Sequence, residues 1–409
     1  MKPIALVQLI SEQTMQNLVS VLAFRPRHLI HLTTPKTASR AAHIVAAAEQ
    51  AGLSPSFENI RLSQTPSIAE TSRAVHRAVS AAQEAGFLPV VNFTGGTKLM
   101  SIGAYEAAKA AQSPSFYVDT EHQCFIDGGS SPQTIGSLLE NDLSFTPFRD
   151  ALNVRTIAAA NGLENISLGR DWEPYLPLAA FLLDHPADEQ ATWEAIHGTK
   201  GICANGREPR DPAGWITLLD TPISLPTEIG KMAADLQLVA CREGCWYLPQ
   251  ESRETLHELK SDSKLGERYF KAIAPLQFSL AFLTGGWWEV VVMDAAQRSG
   301  QFHDLQWSIS FGRQPGEAQR EEDIVGVDGV QIAYFSCKRG GAKARLLSVL
   351  DELDNRARSI GGSFTRRFLC VCYPPKKELR QNLEKRAEEL SGIRIVTRDD
   401  LKNLDVFKK

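Results

Sequence analysis

The first 150 residues alternate between two hydrophobic periods. Apolar runs at 4–10, 28–33 and 87–91 read as short buried strands. Between them, residues 15–23, 38–51 and 68–85 space their apolar positions as helices do. An Ala-rich helix at 97–111 and two β-like runs at 115–119 and 123–126 complete the series. This alternation predicts a parallel, doubly wound sheet of Rossmann type, whose ligands sit beyond the carboxyl ends of the strands. Three of those ends are polar: Ser11-Glu12-Gln13, Thr33-Thr34-Pro35 and the stretch from Asn92 to Lys98.

The alternation stops near residue 150. Residues 174–184, 191–198 and 225–238 have helical spacing, and 239–248 form a small hairpin around Arg242-Glu243-Gly244. The stretch 151–255 reads as a mixed connector domain, with a helix and hairpin of winged-helix type as one option. From residue 256 a new order begins. A helix at 264–284 leads into Gly285-Gly286-Trp287-Trp288-Glu289 and a second helical stretch to Met293. Strands follow at 304–311, 322–327 and 330–337, then a helix at 343–360, a strand at 367–373, a helix at 376–390 and a strand at 393–396. The order α-β-β-β-α-β-α-β is that of the restriction-endonuclease-like α/β/α core. Three domains are therefore expected, 1–150, 151–255 and 256–409.

Charge adds one refinement. The chain carries a net charge of -4, but residues 256–409 hold 25 Lys and Arg against 21 Asp and Glu. The excess is small, yet it makes the last third the better place for a polyanionic substrate. The seven Cys form no disulfide or zinc framework, and the start of the chain lacks a signal-peptide pattern. With no apolar run of membrane-span length, the expectation is a cytoplasmic protein without membrane contact.

Two segments carry chemistry. In Asn92-Phe93-Thr94-Gly95-Gly96-Thr97-Lys98-Leu99-Met100, a strand runs through two glycines into a helix. The glycines permit a tight turn, the helix start offers free N–H groups, and Lys98 adds a full charge. This predicts an anion cradle, and it is not a P-loop because the Gly-x4-Gly-Lys spacing is missing. In the last third, Asp323 opens a strand, Asp328-Gly329 turns it, and Ser336-Cys337-Lys338 closes the returning strand. A carboxylate and a lysine so placed suit phosphodiester cutting, in which carboxylates hold Mg²⁺ and the lysine offsets charge on the phosphate. Glu289 is a further ligand or water-holder. Trp287 and Trp288 read as core, His303 as a loop histidine, and Arg366-Arg367 and Lys376-Lys377 as a solvated rim.

Together these residues resemble a known family. Asn-x-Thr-Gly-Gly-Thr-Lys-x-Met after a strand resembles the signature of CARF domains, the sensors of cyclic oligoadenylate in type III CRISPR immunity. Gly-Gly-Trp-x-Glu, the acid at Asp323 and the Cys-Lys strand end resemble the nuclease domain fused to CARF in the Card/Can group. The resemblance implies a homodimer that binds cyclic tetra-adenylate, or cyclic hexa-adenylate, across its two-fold axis. It implies contacts from Ser11, Gln13, Thr33, Thr94, Gly95, Gly96, Thr97, Lys98 and Met100. The implied output is ring-activated cutting of DNA, RNA or both with Mg²⁺ or Mn²⁺, using Asp323, Lys338, Glu289 and Ser336. One departure stands out: the group has Glu-Cys-Lys where this chain has Ser336-Cys337-Lys338. Some restriction endonucleases with Ser-x-Lys take a metal ligand from the next helix, which here points to Glu352 beside Asp323 and Cys337. The alternative is a ring-binding sensor with a degenerate nuclease domain that sequesters or cleaves the ring.

Overall fold

The computed structural model describes all residues except 1, 164, 168, 199–200, 204–207, 261–265, 313–319, 341–342, 363–364, 374–376, 391 and 409. Two six-stranded sheets dominate it. The first contains β1 (Ile4–Leu9), β2 (His28–Thr33), β3 (Ser56–Arg61), β4 (Leu88–Asn92), β5 (Ser115–Asp119) and β6 (Cys124–Asp127), ordered β3-β2-β1-β4-β5-β6. All neighbours are parallel except β5 and β6. Helices α1 (Met15–Phe24), α2 (Ala38–Gln50), α3 (Ile68–Glu84) and α4 (Lys98–Ala110) connect the strands, and the short α5 (Ile135–Leu138) follows β6. Four of the five parallel strands were legible. The edge strand β3 was not, because Ser56-Phe57-Glu58 are exposed and no apolar run marks it.

The second sheet is mixed, ordered β14-β13-β12-β11-β10-β7. Its strands are β7 (Asn165–Ser167), β10 (Asp304–Gly312), β11 (Arg320–Asp328), β12 (Gln331–Lys338), β13 (Arg366–Val371) and β14 (Arg394–Thr397). Between β7 and β10 lie α7 (Leu176–Asp184), α8 (Pro186–His197), α9 (Pro212–Leu219), α10 (Thr227–Asp235), the hairpin β8 (Ala240–Arg242) and β9 (Cys245–Tyr247), α11 (Arg253–Leu259), α12 (Glu267–Ala281) and α13 (Trp287–Arg298). Helices α14 (Lys343–Gly361) and α15 (Lys377–Glu389) complete the chain. The hairpin turns at Glu243 and Gly244, both at positive φ, as the dipeptide leads one to expect.

The three-part division needs adjustment at its first boundary. Helix α6 (Val154–Ala160) lies in the stretch read as connector, yet Val154, Ile157, Ala158 and Ala160 are wholly buried. They join one apolar core with Leu18 and Ile44 from the first half and Val325, Tyr334 and Leu353 from the second. Strand β7, also from the connector, pairs with β10. The two sheets are therefore packed through a shared core rather than strung on a linker. Among the described residues, one helical stretch, Glu267–Arg298, is long and apolar enough to cross a membrane by composition, and 61% of its window is buried inside the fold.

Candidate functional site

The cradle is built on the end of β4. Asn92 is buried and donates from Nδ2 to the Gln16 carbonyl at 3.1 Å and Ser20 Oγ at 2.9 Å. Its Oδ1 accepts the Thr94 N–H at 3.0 Å, which starts the turn. Thr94 Oγ1 then accepts the Val118 N–H at 2.7 Å and ties the turn to β5. Gly95 lies so close to β1 that a Cβ there would fall 2.0 Å from the Leu9 carbonyl oxygen. Gly96 sits at φ +77°, a conformation that only glycine adopts without strain. Thr97 caps α4 by accepting the Met100 N–H at 3.3 Å. Gly96, Thr97 and Lys98 are consequently exposed at the start of a thirteen-residue helix, where the dipole favours an anion.

Ser11 belongs to the same cluster. Gln16 Nε2 donates to Ser11 Oγ at 2.6 Å, so one residue of α1 links the ends of β1 and β4. Gln13 is exposed beside it. Two expected contacts sit elsewhere. The Thr33 side chain is buried and donates to Asn59 Oδ1 at 2.9 Å, and Met100 is 1% exposed, packed in the core beneath the turn. Met100 supports the turn from inside, whereas Thr33 ties the end of β2 to the edge strand β3.

The second site arises where a ladder breaks. Strand β10 pairs with β11 from Asp304↔Val327 to Trp307↔Ile324 and again from Ile309↔Glu322, leaving out Ser308 and Asp323. Ser308 has φ +55°, and the alternation inverts there: Trp307 joins the core around α13, while Ile309 and Phe311 join the core around α14. On its other side, β11 pairs with β12 only as far as Ile324↔Phe335. Asp323 takes over the missing step with its side chain, accepting the Cys337 N–H at Oδ2 over 2.6 Å. The same oxygen accepts from Lys338 Nζ at 3.1 Å. Both side chains remain partly open to solvent, 24% for Asp323 and 32% for Lys338. The structure thus brings this acid and this lysine together, though Asp323 lies within the strand rather than at its start.

Glu289 faces the pair from α13. Trp307 Nε1 donates to its Oε2 at 2.9 Å. Burial, and next the negative charge of Asp323, push the Glu289 carboxyl up to about 8. The sign of the pH effect follows. The folded form holds a proton that the unfolded chain releases near 4.5, so the folded state loses stability as pH rises from there toward 8. Glu289→Gln is expected to flatten that slope, read as urea midpoints with chelator at pH 5 and pH 8.5. An unchanged slope would remove the assigned burial. For Lys338, burial pulls the ammonium down, but Asp323, Cys337 and Glu289 more than offset this and raise it.

Other expected residues fall outside this pair. Glu352 is half-exposed on α14 and bonded to Arg356 at 2.5 Å, and Arg356 also holds the buried Glu322 at 2.9 Å. Tyr334 completes that group by donating its hydroxyl to Glu322. Glu352 therefore belongs to the face covered by α14, while Glu289 approaches from α13, which corrects its assignment beside Asp323. Cys337 is buried in the apolar core around α13, and burial, with Cys370 beside it, raises its thiol well above the usual range. Ser336 is buried. Trp287 and Trp288 are core, with Trp288 Nε1 donating to the Cys370 carbonyl, and His303 bonds the Leu152 carbonyl. Arg366 and Arg367 are not a solvated rim, because they pair with Asp328 and Asp354 inside the fold. Lys376 lies outside the described residues.

Residues 5–135 match the family of the Card1 CARF domain. The first sheet and its helices are therefore a CARF domain. Two solved structures share the fold of almost the whole chain. Protein VC1899 from Vibrio cholerae superposes with a TM-score of 0.68 at 15% identity, covering 98% of this chain and 96% of that one. Can2 from Sulfobacillus thermosulfidooxidans, solved in complex with cyclic tetra-adenylate, gives 0.63 at 18% identity, covering 98% and 97%. No curated protein matches the sequence.

Proposed function

We propose that the protein is a homodimeric nuclease of type III CRISPR defence, activated by cyclic oligoadenylate and cutting DNA, RNA or both. The observation that carries this reading is the union in one chain of an exposed helix-start cradle and a solvent-reachable Asp323–Lys338 pair. In this reading the first unit is the sensor and the second a restriction-endonuclease-like effector. Ser11, Gln13 and the run from Thr94 to Lys98 hold the ring phosphates and ribose edges. Leu99 and Ile102 stand 51% and 45% exposed on α4, three residues apart beside the cradle. An isologous contact through that face would set two cradles about one axis, matching a two-fold ring such as cyclic tetra-adenylate.

The donors beside Lys338 are oxygens, the carboxylates of Asp323 and Glu289. Among the described residues no group of three or more His, Cys, Asp and Glu is placed to hold a metal ion, and these two carboxylates are the acids at the lysine. That sparse set suits Mg²⁺ or Mn²⁺, which keeps most of its waters and takes one or two carboxylates. When bound there, such an ion would lower the pKa of a water and offset charge on the phosphate. Lys338 sits where its charge meets the developing negative charge, and Asp323 keeps it there.

A second reading, a ring-binding sensor with a degenerate nuclease unit, is favoured by Ser336 standing where the resembled group has Glu. One experiment separates the two. Supercoiled plasmid and labelled RNA are incubated with Mn²⁺ or Mg²⁺, with and without cyclic tetra- and hexa-adenylate. Ring-dependent cutting is expected, and ring binding without cutting would establish the sensor. Lys98→Ala, which removes a charge-assisted phosphate contact, should weaken ring binding by about 1.5–3 kcal/mol in calorimetry. Unchanged affinity in that variant would move the ring away from this cradle.

A further inference from the structure

Residues 151–255 carry no motif, yet they place one carboxylate against the end of β12. Glu189, in the first turn of α8, is wholly buried. Its Oε1 accepts from Arg339 Nε at 2.5 Å. Its Oε2 accepts from Arg339 Nη2 at 2.8 Å and from the Tyr373 hydroxyl at 2.9 Å. Nη2 also reaches Gln190 Oε1 at 2.7 Å, and the guanidinium carbon lies 5.3 Å and 5.2 Å from the ring centres of Trp193 and Tyr373. A buried carboxylate is costly unless fully bonded, and this one is.

Arg339 directly follows Lys338, and that adjacency matters because β12 has lost a neighbour there. Beyond Ile324↔Phe335 its main chain has no ladder to β11. What remains is β13, extended by the Cys372 N–H donating to the Lys338 carbonyl at 3.0 Å and the Tyr373 N–H to that of Arg339 at 2.9 Å. Arg339 adds an anchor to a different element, α8, 150 residues away in sequence. We propose that Glu189 is a positioning residue: through Arg339 it fixes the end of β12 and so holds Lys338 within reach of Asp323. The inference rests on the nuclease reading for the role of Lys338, but the clamp itself is testable without any cutting.

The test compares wild type, Glu189→Gln and the double variant Glu189→Met/Arg339→Met. Two readouts are taken, hydrogen exchange at residues 337, 372 and 373 and ring-activated cutting. In Glu189→Gln those amides should exchange about 10-fold faster or more, with β10 unchanged. Its kcat should fall about 10-fold or more while KM stays within about 3-fold, because the lysine is misplaced rather than the substrate lost. The double variant removes both charges and should restore the melting temperature. Exchange should stay fast and kcat low, since no fork fixes the strand end. Arg339→Lys keeps the charge and loses the fork, so it should repeat the pattern more mildly. It also serves if Glu189→Gln does not fold. Wild-type exchange in Glu189→Gln or Arg339→Lys, or full recovery of kcat in the double variant, would overturn the proposal. If the wild type cuts nothing under any ring or metal, the nuclease reading falls, and the exchange rates alone decide the clamp.

Discussion

Lys338→Ala is expected to lower ring-activated cutting by about 10²–10³-fold while leaving ring affinity within about twofold of wild type. The ammonium is the one cation in contact with Asp323 among the described residues, and its position is doubly fixed. Nζ donates to Asp323 Oδ2 at 3.1 Å and to the Cys337 carbonyl at 2.9 Å. A charge held this way needs little rearrangement when negative charge grows on a phosphate, which is why removing it costs so much in rate. Asp323→Asn should be as severe, for a compound reason. It removes the carboxylate charge, and it disturbs the bond to the Cys337 N–H that substitutes for the broken ladder. Initial rates of plasmid nicking at saturating cyclic tetra-adenylate and Mn²⁺ give the first number, and calorimetry with the same ring gives the second. A Lys338→Ala protein that nicks at the wild-type rate would mean that cutting happens elsewhere. The ring should bind both variants normally, because Lys98 opens α4 beside the first sheet whereas Lys338 ends β12 of the second.

Much of this arrangement was legible in the chain because it is local. The cradle depends on a turn of a few residues whose glycines and cap are adjacent, and Asp323 and Lys338 sit on consecutive strands joined by Asp328-Gly329. What escaped detection depends on distant partners or on broken periodicity. Strand β3 is an exposed edge without an apolar run, and β7 has only three residues. Taking a metal ligand from α14 rests on its being the helix after β12, but order along a chain does not say which face of a sheet a helix covers. Glu352, Asp351 and Asp354 all prove to have arginine partners there. Paired arginines at 366 and 367 resemble a surface rim until their buried acids are known. Ser308 carries no signal at all, since nothing in Trp307-Ser308-Ile309 announces a positive φ; a strand in which Trp307 and Ile309 serve opposite cores is the only trace. Glu189 is harder still, because its cation lies 150 residues on.

Gly95→Ala is expected to abolish measurable ring binding, a loss of about 100-fold or more, while Gly96→Ala loses far less. The two glycines are adjacent but constrained differently. At Gly95 the added Cβ would sit 2.0 Å from the Leu9 carbonyl oxygen and 2.9 Å from its carbon, both main-chain atoms of the strand core. Neither can swing aside, so the turn must move outward from β1 by more than an ångström. That shift would carry Thr97 and Lys98 out of register with Ser11, whose own place is fixed through Gln16. Forcing volume into such a site should also cost about 1–3 kcal/mol of stability. At Gly96 the obstruction is the Met100 side chain, with Sδ and Cε at 3.0 Å, and methionine can re-pack. The remaining penalty there is the positive φ, about 1–2 kcal/mol. Calorimetry with cyclic tetra-adenylate and thermal unfolding of both variants measure the contrast. Equal binding by Gly95→Ala and wild type would show that the ring does not depend on this turn, and the assigned sensor site would have to be abandoned.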